Sequence, residues 1–431
     1  MRRPLPLLAV LFALLQFACR SEPEPALRIG DVGYPAEQLS GLSTEQLHTL
    51  ADLAAFLQAV AREAAEEIGE PIVARETERA RLAALPAHLA AGEMGVGEQA
   101  LRSAHDAAPE WELDVRHVVR LVPRWAAAAE RQEARRIAQE VQQRAAAGED
   151  FAALAAEFSE EPGAAERGGL LQPGRQGSWV APFWEAAQAL QPGEISQVVE
   201  TEYGYHVLRL DARRPVPFEE ANRARLLSRL VPEARARSAM ERWVAEQSGE
   251  LTLDPPALAA TRRMIGSGAA PDTLVLAHWT QGRYTAWDLA VYRASLEPEA
   301  RAQLDAADDS GFGWRVETDA REAMWAQQAG ELGVAQPLEA AAAAERQWEQ
   351  RASLLARALG ARAGMREGEI RTAALRGLGG TGQELRIARQ ELFGLRPLLR
   401  RRYPVSGPAA PESAPSAAAS SSETRKREST G

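Results

Sequence analysis

Apolar and polar side chains alternate along Val115-Arg116-His117-Val118-Val119-Arg120-Leu121, within a stretch that opens at Trp111. That period of two predicts a half-buried strand. Tyr203-Gly204-Tyr205-His206-Val207-Leu208-Arg209-Leu210 repeats the pattern, and Ile195 to Val199 predicts a strand just before it. Between these runs the period lengthens to that of helices. Trp125 to Ala147 predicts a long amphipathic helix stopped by Gly148, and Asp150 caps a second helix that reaches Phe158. A third helix is expected from Pro182 to the Leu190-Gln191-Pro192-Gly193 turn. If the outer strands pair in one sheet, His117 and His206 meet in a single small core.

The flanks have a different pattern. Ala26 to Tyr34 predicts a short strand that turns into a helix near Pro35, and Ser43-Thr44-Glu45-Gln46 is a capping-box start. Leu47, Leu50, Leu53, Ala54 and Leu57 follow at helical spacing, with breaks expected at Gly69-Glu70-Pro71, Pro86 and Gly95-Val96-Gly97. Beyond Arg213-Arg214-Pro215, one long helix is expected from Ala221 to about Gln247. Leu276 to Leu289 faintly echoes residues 27 to 39 in its strand, glycine turn, aromatic residue and helix start, and Glu297 to Arg401 is alanine-rich and helical in pattern. From Val405 the Pro/Ala/Ser-rich end is expected to lack structure. The divisions are thus a leader at 1–19, a helical segment at 20–108, a mixed domain at 109–215, a helical region at 216–403 and a tail at 404–431.

Composition adds three limits. A chain of 431 residues is long enough for two or three domains. A net charge of −10 argues against nucleic acid as a partner, because phosphate binding selects a basic surface. The single cysteine, Cys19, follows Arg2-Arg3 and the apolar run Leu5 to Phe17, so the start is an export signal. Cys19 stands where a bacterial lipoprotein carries its lipid; a plain signal peptide or a retained anchor is the alternative. The mature chain would have neither a disulfide nor a thiol nucleophile in its body.

One ordered set of short motifs spans the mixed domain. It comprises His117, Gly148-Glu149-Asp150-Phe151, Phe158-Ser159-Glu160-Glu161, Arg167-Gly168-Gly169-Leu170, Val180-Ala181-Pro182-Phe183-Trp184, Leu190-Gln191-Pro192-Gly193-Glu194 and Tyr203-Gly204-Tyr205-His206. In order and spacing this set resembles the parvulin family of peptidyl-prolyl cis-trans isomerases, over about a quarter of the chain. The resemblance implies an α+β domain with a four-stranded, mostly antiparallel sheet wrapped by helices, set within a mainly helical, chaperone-like protein. It also implies isomerisation of X–Pro bonds in unfolded exported polypeptides, at the cell envelope and without a cofactor. A lipid on Cys19 would hold the chain to a membrane.

Carried over by position, Leu170, Trp179 and Phe183 match the wall of the proline pocket, with Tyr203 nearby. His117 and His206 match the paired buried histidines, Thr201 the hydroxyl within that core, and Glu161 the position of an acidic or thiol side chain. Desolvation would raise the Glu161 pKa and let it polarise the amide; the alternative is a solvated loop carboxylate. The histidines either act on substrate or form a structural pair that exchanges one hydrogen bond. His48, His88, His105 and His278 lack metal-ligand spacing and are expected on surfaces or helices. Arg120, Arg124 and Arg131 are scattered rather than clustered, so no preference for phosphorylated substrates is expected. Leu171 and Gln172 replace a further glycine, and Gln188 replaces an apolar residue. These departures support a second reading, a non-catalytic holdase that uses the domain only to bind peptide.

Overall fold

The computed structural model describes residues 24–122, 126–247, 251–265 and 267–410. Cys19 and the rest of the leader lie outside them. In chain order the elements are β1 (Leu27–Ile29), β2 (Val32–Tyr34), α1 (Ala36–Leu39), α2 (Thr44–Ala61), α3 (Ala65–Met94), α4 (Glu98–Ala107) and β3 (Trp111–Leu121). Next come α5 (Ala128–Ala146), α6 (Phe151–Phe158), α7 (Ala164–Arg167), α8 (Ala181–Ala189), β4 (Val199–Thr201) and β5 (Gly204–Pro215). A 3₁₀ turn at Phe218–Glu220 leads to α9 (Arg223–Leu230), α10 (Glu233–Glu246), β6 (Thr252–Leu253), α11 (Pro255–Met264), β7 (Val275–Trp279) and β8 (Gly282–Thr285). The chain closes with α12 (Ala286–Ser295), α13 (Pro298–Ala306), α14 (Asp309–Glu331), α15 (Leu338–Leu359), α16 (Glu367–Gly379), α17 (Gln383–Arg402) and β9 (Val405–Ser406).

The N- and C-terminal helices form one body. Its largest core joins Leu27, Ile29, Phe56 and Leu57 to Trp348, Leu355, Leu392 and Leu399. Burial of that apolar area, worth roughly 25 cal/mol per Å², is what brings the two ends of the chain together. Asp52, buried on α2, receives Arg396 Nε at 2.7 Å and Arg400 Nη2 at 3.2 Å from α17. The capping box at Ser43 forms as expected, with Gln46 N–H on Ser43 Oγ and Ser43 N–H on Gln46 Oε1.

Three features of the flanks differ from the sequence reading. The helix α3 runs unbroken through Pro71 and Pro86. Each proline forfeits a backbone hydrogen bond at a cost of about 3 kcal/mol. Burial of Ile68, Ile72, Ala84 and Leu85 under α10, α14 and α15 keeps the helix continuous. The expected helix from Ala221 to Gln247 is instead two: Asn222 caps the start of α9, and the extended Val231 before Pro232 ends it, so that α10 starts afresh. The tail does not lose order at Val405: Val405 and Ser406 pair with Ile29 and Arg28, and Ala409 is buried. His105 lies on helix α4, in keeping with the expectation, and is buried there with Nε2 on Val216 O at 2.9 Å.

Between the two ends sits the mixed domain, whose sheet runs β3-β5-β4, all antiparallel. Only three members are regular strands. The fourth is the irregular segment 169–174, joined to β3 by bridges at Arg116–Leu170 and Leu113–Gly174. One face packs Val118, Tyr205 and Val207 against α5 and α6, and the other packs Val115, Leu208 and Leu210 against α8. Both faces are covered by the domain's own helices, in an α+β arrangement. Helix α5 is described from Ala128; Trp125, where it was expected to start, lies outside the described residues.

Candidate active site

Strand register brings the distant residues together. His117 and Val119 share a face of β3, and Val119 lies opposite His206 on β5. Val199 of β4 lies opposite His206 in turn, so Thr201, two residues on, falls on that same face. The result is a stacked pair of imidazoles, centroids 5.7 Å apart and planes 24° apart. Phe183, presented by α8, meets His117 and His206 edge-on at 5.7 and 5.6 Å.

The two rings do not hydrogen-bond each other. His117 gives Nε2 to Glu161 Oε2 at 2.6 Å, and His206 places Nε2 2.8 Å from Thr201 Oγ1. The expected exchange within the pair is therefore replaced by two separate outward bonds. Thr201 Oγ1 also accepts the Tyr203 N–H at 3.2 Å, which ties the β4–β5 turn to the same core. Burial, with His117 beside it, pushes the His206 imidazole well below its ordinary value of 6.5, so it is neutral at physiological pH.

Glu161 owes its place to the loop after α6. Glu160 N–H bonds Val119 O at 2.9 Å, and Glu160 Oε2 takes the Leu121 N–H at 2.8 Å. With its neighbour pinned to β3, Glu161 turns onto His117, and Arg167 comes within 3.5 Å. Burial raises the Glu161 carboxyl, but its bond to His117 and the charges of His117 and Arg167 outweigh that. The net shift is downward, opposite to the rise expected from the sequence. Glu161 is thus an ionised acceptor paired with His117, neither a protonated donor nor a solvated loop carboxylate.

The Arg167-Gly168-Gly169 corner sets the other wall. Gly169 has φ +74°, and a Cβ there would lie 2.5 Å from His117 O. Arg116 buttresses the corner, donating to Arg167 O and Gly168 O at 3.1 and 2.9 Å. Leu170 and then Leu171 run along β3, and Leu171 keeps its N–H on Val115 O at 2.9 Å. The bulkier residue in place of glycine is accommodated without loss of that pairing. Gln188 points to solvent on α8 and weakens no core.

Trp179 closes the apolar wall, 5.2 Å from Phe183 and 6.0 Å from Trp184, ring to ring. Leu170, Trp179, Phe183, Tyr203 and the two histidines line one cleft of about 820 Å³, with Glu161 at its polar edge. Sequence reasoning missed its far side, which comes from outside the domain: Ala65 and Glu66 at the start of α3, and Arg346 and Glu349 of α15. No motif marks these residues, because an amphipathic helix does not disclose what its second face meets. Arg120 and Arg131 are paired with Glu160 and Glu200, and Arg175 with Glu112 and Glu220. Arg124 lies outside the described residues. Among the described residues, no three His, Cys, Asp or Glu side chains are grouped to hold a metal ion.

With that geometry in place, comparison with known proteins bears chiefly on the domain. Residues 117–212 match the rotamase family described as the PPIC-type PPIASE domain. The chain is similar to the chaperone SurA of Chromohalobacter salexigens, 40% identical over 116 residues that make up 27% of this chain and 26% of the relative. It is also similar to foldase protein PrsA 4 of Bacillus cereus, 42% identical over 84 residues, 19% of this chain and 30% of that one. A solved peptidylprolyl isomerase (PrsA) from Bacillus cereus aligns at 26% identity over 40% of this chain and 58% of its own, with a TM-score of 0.25. The chain spans about a quarter to two fifths of the length of the curated relatives it matches. Between residues 117 and 212, this chain carries a parvulin rotamase domain of PPIC type.

Proposed function

We propose that the protein is a peptidyl-prolyl cis-trans isomerase that assists the folding of exported polypeptides. The observation that carries this reading is the convergence of Leu170, Trp179 and Phe183 with the His117–Glu161 and His206–Thr201 pairs on one cleft. An amide resists rotation by about 18–20 kcal/mol because resonance stiffens its C–N bond. Unaided X–Pro isomerisation takes roughly 10–100 s at 25 °C. The planar amide is more dipolar than the twisted one, so an apolar cleft that grips the prolyl ring binds the twisted form better. Differential binding of that kind lowers the barrier without a covalent step. In this reading the neutral His206 keeps the cleft floor uncharged, and Glu161 holds His117 in one orientation.

A protease-coupled assay with a proline tetrapeptide on the full chain tests the proposal. Acceleration above background is expected, and it should vanish in Phe183→Ala. Absence of acceleration by a correctly folded chain would sink the enzymatic reading. The second reading, a holdase that binds peptide without catalysis, draws support from the helical body, whose residues supply the far side of the cleft. Suppression of client aggregation that survives Phe183→Ala while isomerisation is lost would favour it. The leader-like run before Cys19 supports a reading in which this activity lies at the cell envelope; fatty-acid-analogue labelling lost in Cys19→Ser would support a lipid anchor.

A further inference from the structure

Trp179 is part of the cleft wall, yet it stands on a loop rather than on α8. What fixes that loop decides the shape of the pocket. At its start, Gly174 exchanges both backbone hydrogen bonds with Leu113, at 2.8 and 2.9 Å. The Trp179 ring lies directly on Gly174, where a Cβ would come within 2.3 Å of it. The loop's own Arg175 is clamped between Glu112 and Glu220.

Within the loop, Arg175 N–H donates to Ser178 Oγ at 2.9 Å and Ser178 N–H donates to Arg175 O at 2.8 Å. Two further ties come from the helical body. Arg225 of α9 donates to Gln176 O, and Arg346 of α15 donates through Nε to Ser178 O at 2.6 Å. Ser178 is the residue before Trp179, and it is buried. Arg346 also lines the cleft itself, opposite the isomerase face. Helix α15 is rigidly seated at this point: Trp348, two residues on, is buried in the main core and donates Nε1 to Ala65 O at 3.0 Å. A charged donor on a seated helix thus holds the carbonyl next to the pocket's tryptophan.

We infer that Arg346 is a positioning residue of the prolyl site, and that the helical body, through α15, completes a pocket the rotamase domain does not complete alone. This deepens the proposed function and rests on the same cleft. The Arg346 guanidinium acts through the Ser178 carbonyl on Trp179, not on the prolyl amide. A polypeptide bound there lies between the rotamase domain and α15, so access and grip both depend on the body.

The test uses the full chain and a fluorescein-labelled proline-containing peptide, with binding read by anisotropy and isomerisation measured in parallel. Arg346→Met should weaken binding about tenfold, the scale expected when a charge-assisted hydrogen bond that orders a loop is lost. Arg346→Lys keeps a cationic donor near Ser178 O and should restore binding to within about twofold of wild type. Arg357 ties the same helix to the domain elsewhere, at Leu121 O and Glu160. Arg357→Met therefore controls for docking and should stay within about twofold of wild type. Unchanged binding in a folded Arg346→Met chain, or equal weakening by Arg357→Met, would overturn the inference. A wild-type chain that binds peptide with this dependence on Arg346, yet fails to speed isomerisation, removes the enzymatic reading and leaves Arg346 in its role.

Discussion

At the scale of single residues, protonation sets the terms. His206 is held neutral by burial with His117 beside it, and His48 is lowered to about 4 by burial, helped by Arg396 and Arg400. Both bind a proton more readily in the unfolded chain, so their contribution to stability is complete above the ordinary value of 6.5 and falls as pH drops below it. Glu161, held below its ordinary 4.5, adds a second loss at lower pH, as its folded carboxylate is protonated. The thermal midpoint should therefore decline between pH 7 and pH 5, and more gently in His206→Asn. A midpoint flat across that range would contradict the assignment of neutral buried imidazoles.

Elements carry the next level of constraint. The Gly168–Gly169 corner lets the fourth sheet segment turn onto β3 and places Leu170 beside His117. Gly169→Ala would force a methyl to within 2.5 Å of a backbone oxygen at a φ of +74°. Positive φ for a non-glycine residue costs on the order of 1–3 kcal/mol before the clash is relieved. The variant should unfold at least 1–3 kcal/mol more easily in urea and lose peptide binding; a stability within about 0.5 kcal/mol of wild type would show that the corner tolerates a side chain. Most of these elements were legible beforehand. The strand around His117, the Asp150 cap and the third helix all follow from local periodicity and capping chemistry. The helix α3 was not, because proline's local penalty is offset by contacts with α10, α14 and α15 that are remote in sequence. The division between α9 and α10 is hidden for the opposite reason: apolar spacing continues across Val231-Pro232, although the residue before a proline disfavours helix.

For the whole molecule, the decisive contacts join the two ends of the chain. Asp52 on α2 is 2% exposed and accepts hydrogen bonds from both Arg396 and Arg400, more than three hundred residues later. Replacing it by alanine leaves two buried guanidinium groups without their carboxylate, a change that costs about 3–5 kcal/mol. Asp52→Ala should lower unfolding free energy by that amount in denaturant titrations. A loss below about 1 kcal/mol would mean the network is hydrated and the ends are joined by apolar packing alone.

Much of this protein was determined by sequence alone. Period-two and helical patterns specify which face of each element is apolar, and the ordered motifs around His117 and His206 pointed to a parvulin domain. Tertiary structure alone decided how those faces are used. It turned the histidines outward to Glu161 and Thr201, lowered a carboxyl that desolvation would have raised, and carried α15 across the cleft. The physical reason is that propensity and capping act over a few residues, whereas a pKa, a pocket wall or a buried ion pair depends on whatever the folded chain brings within a few ångströms.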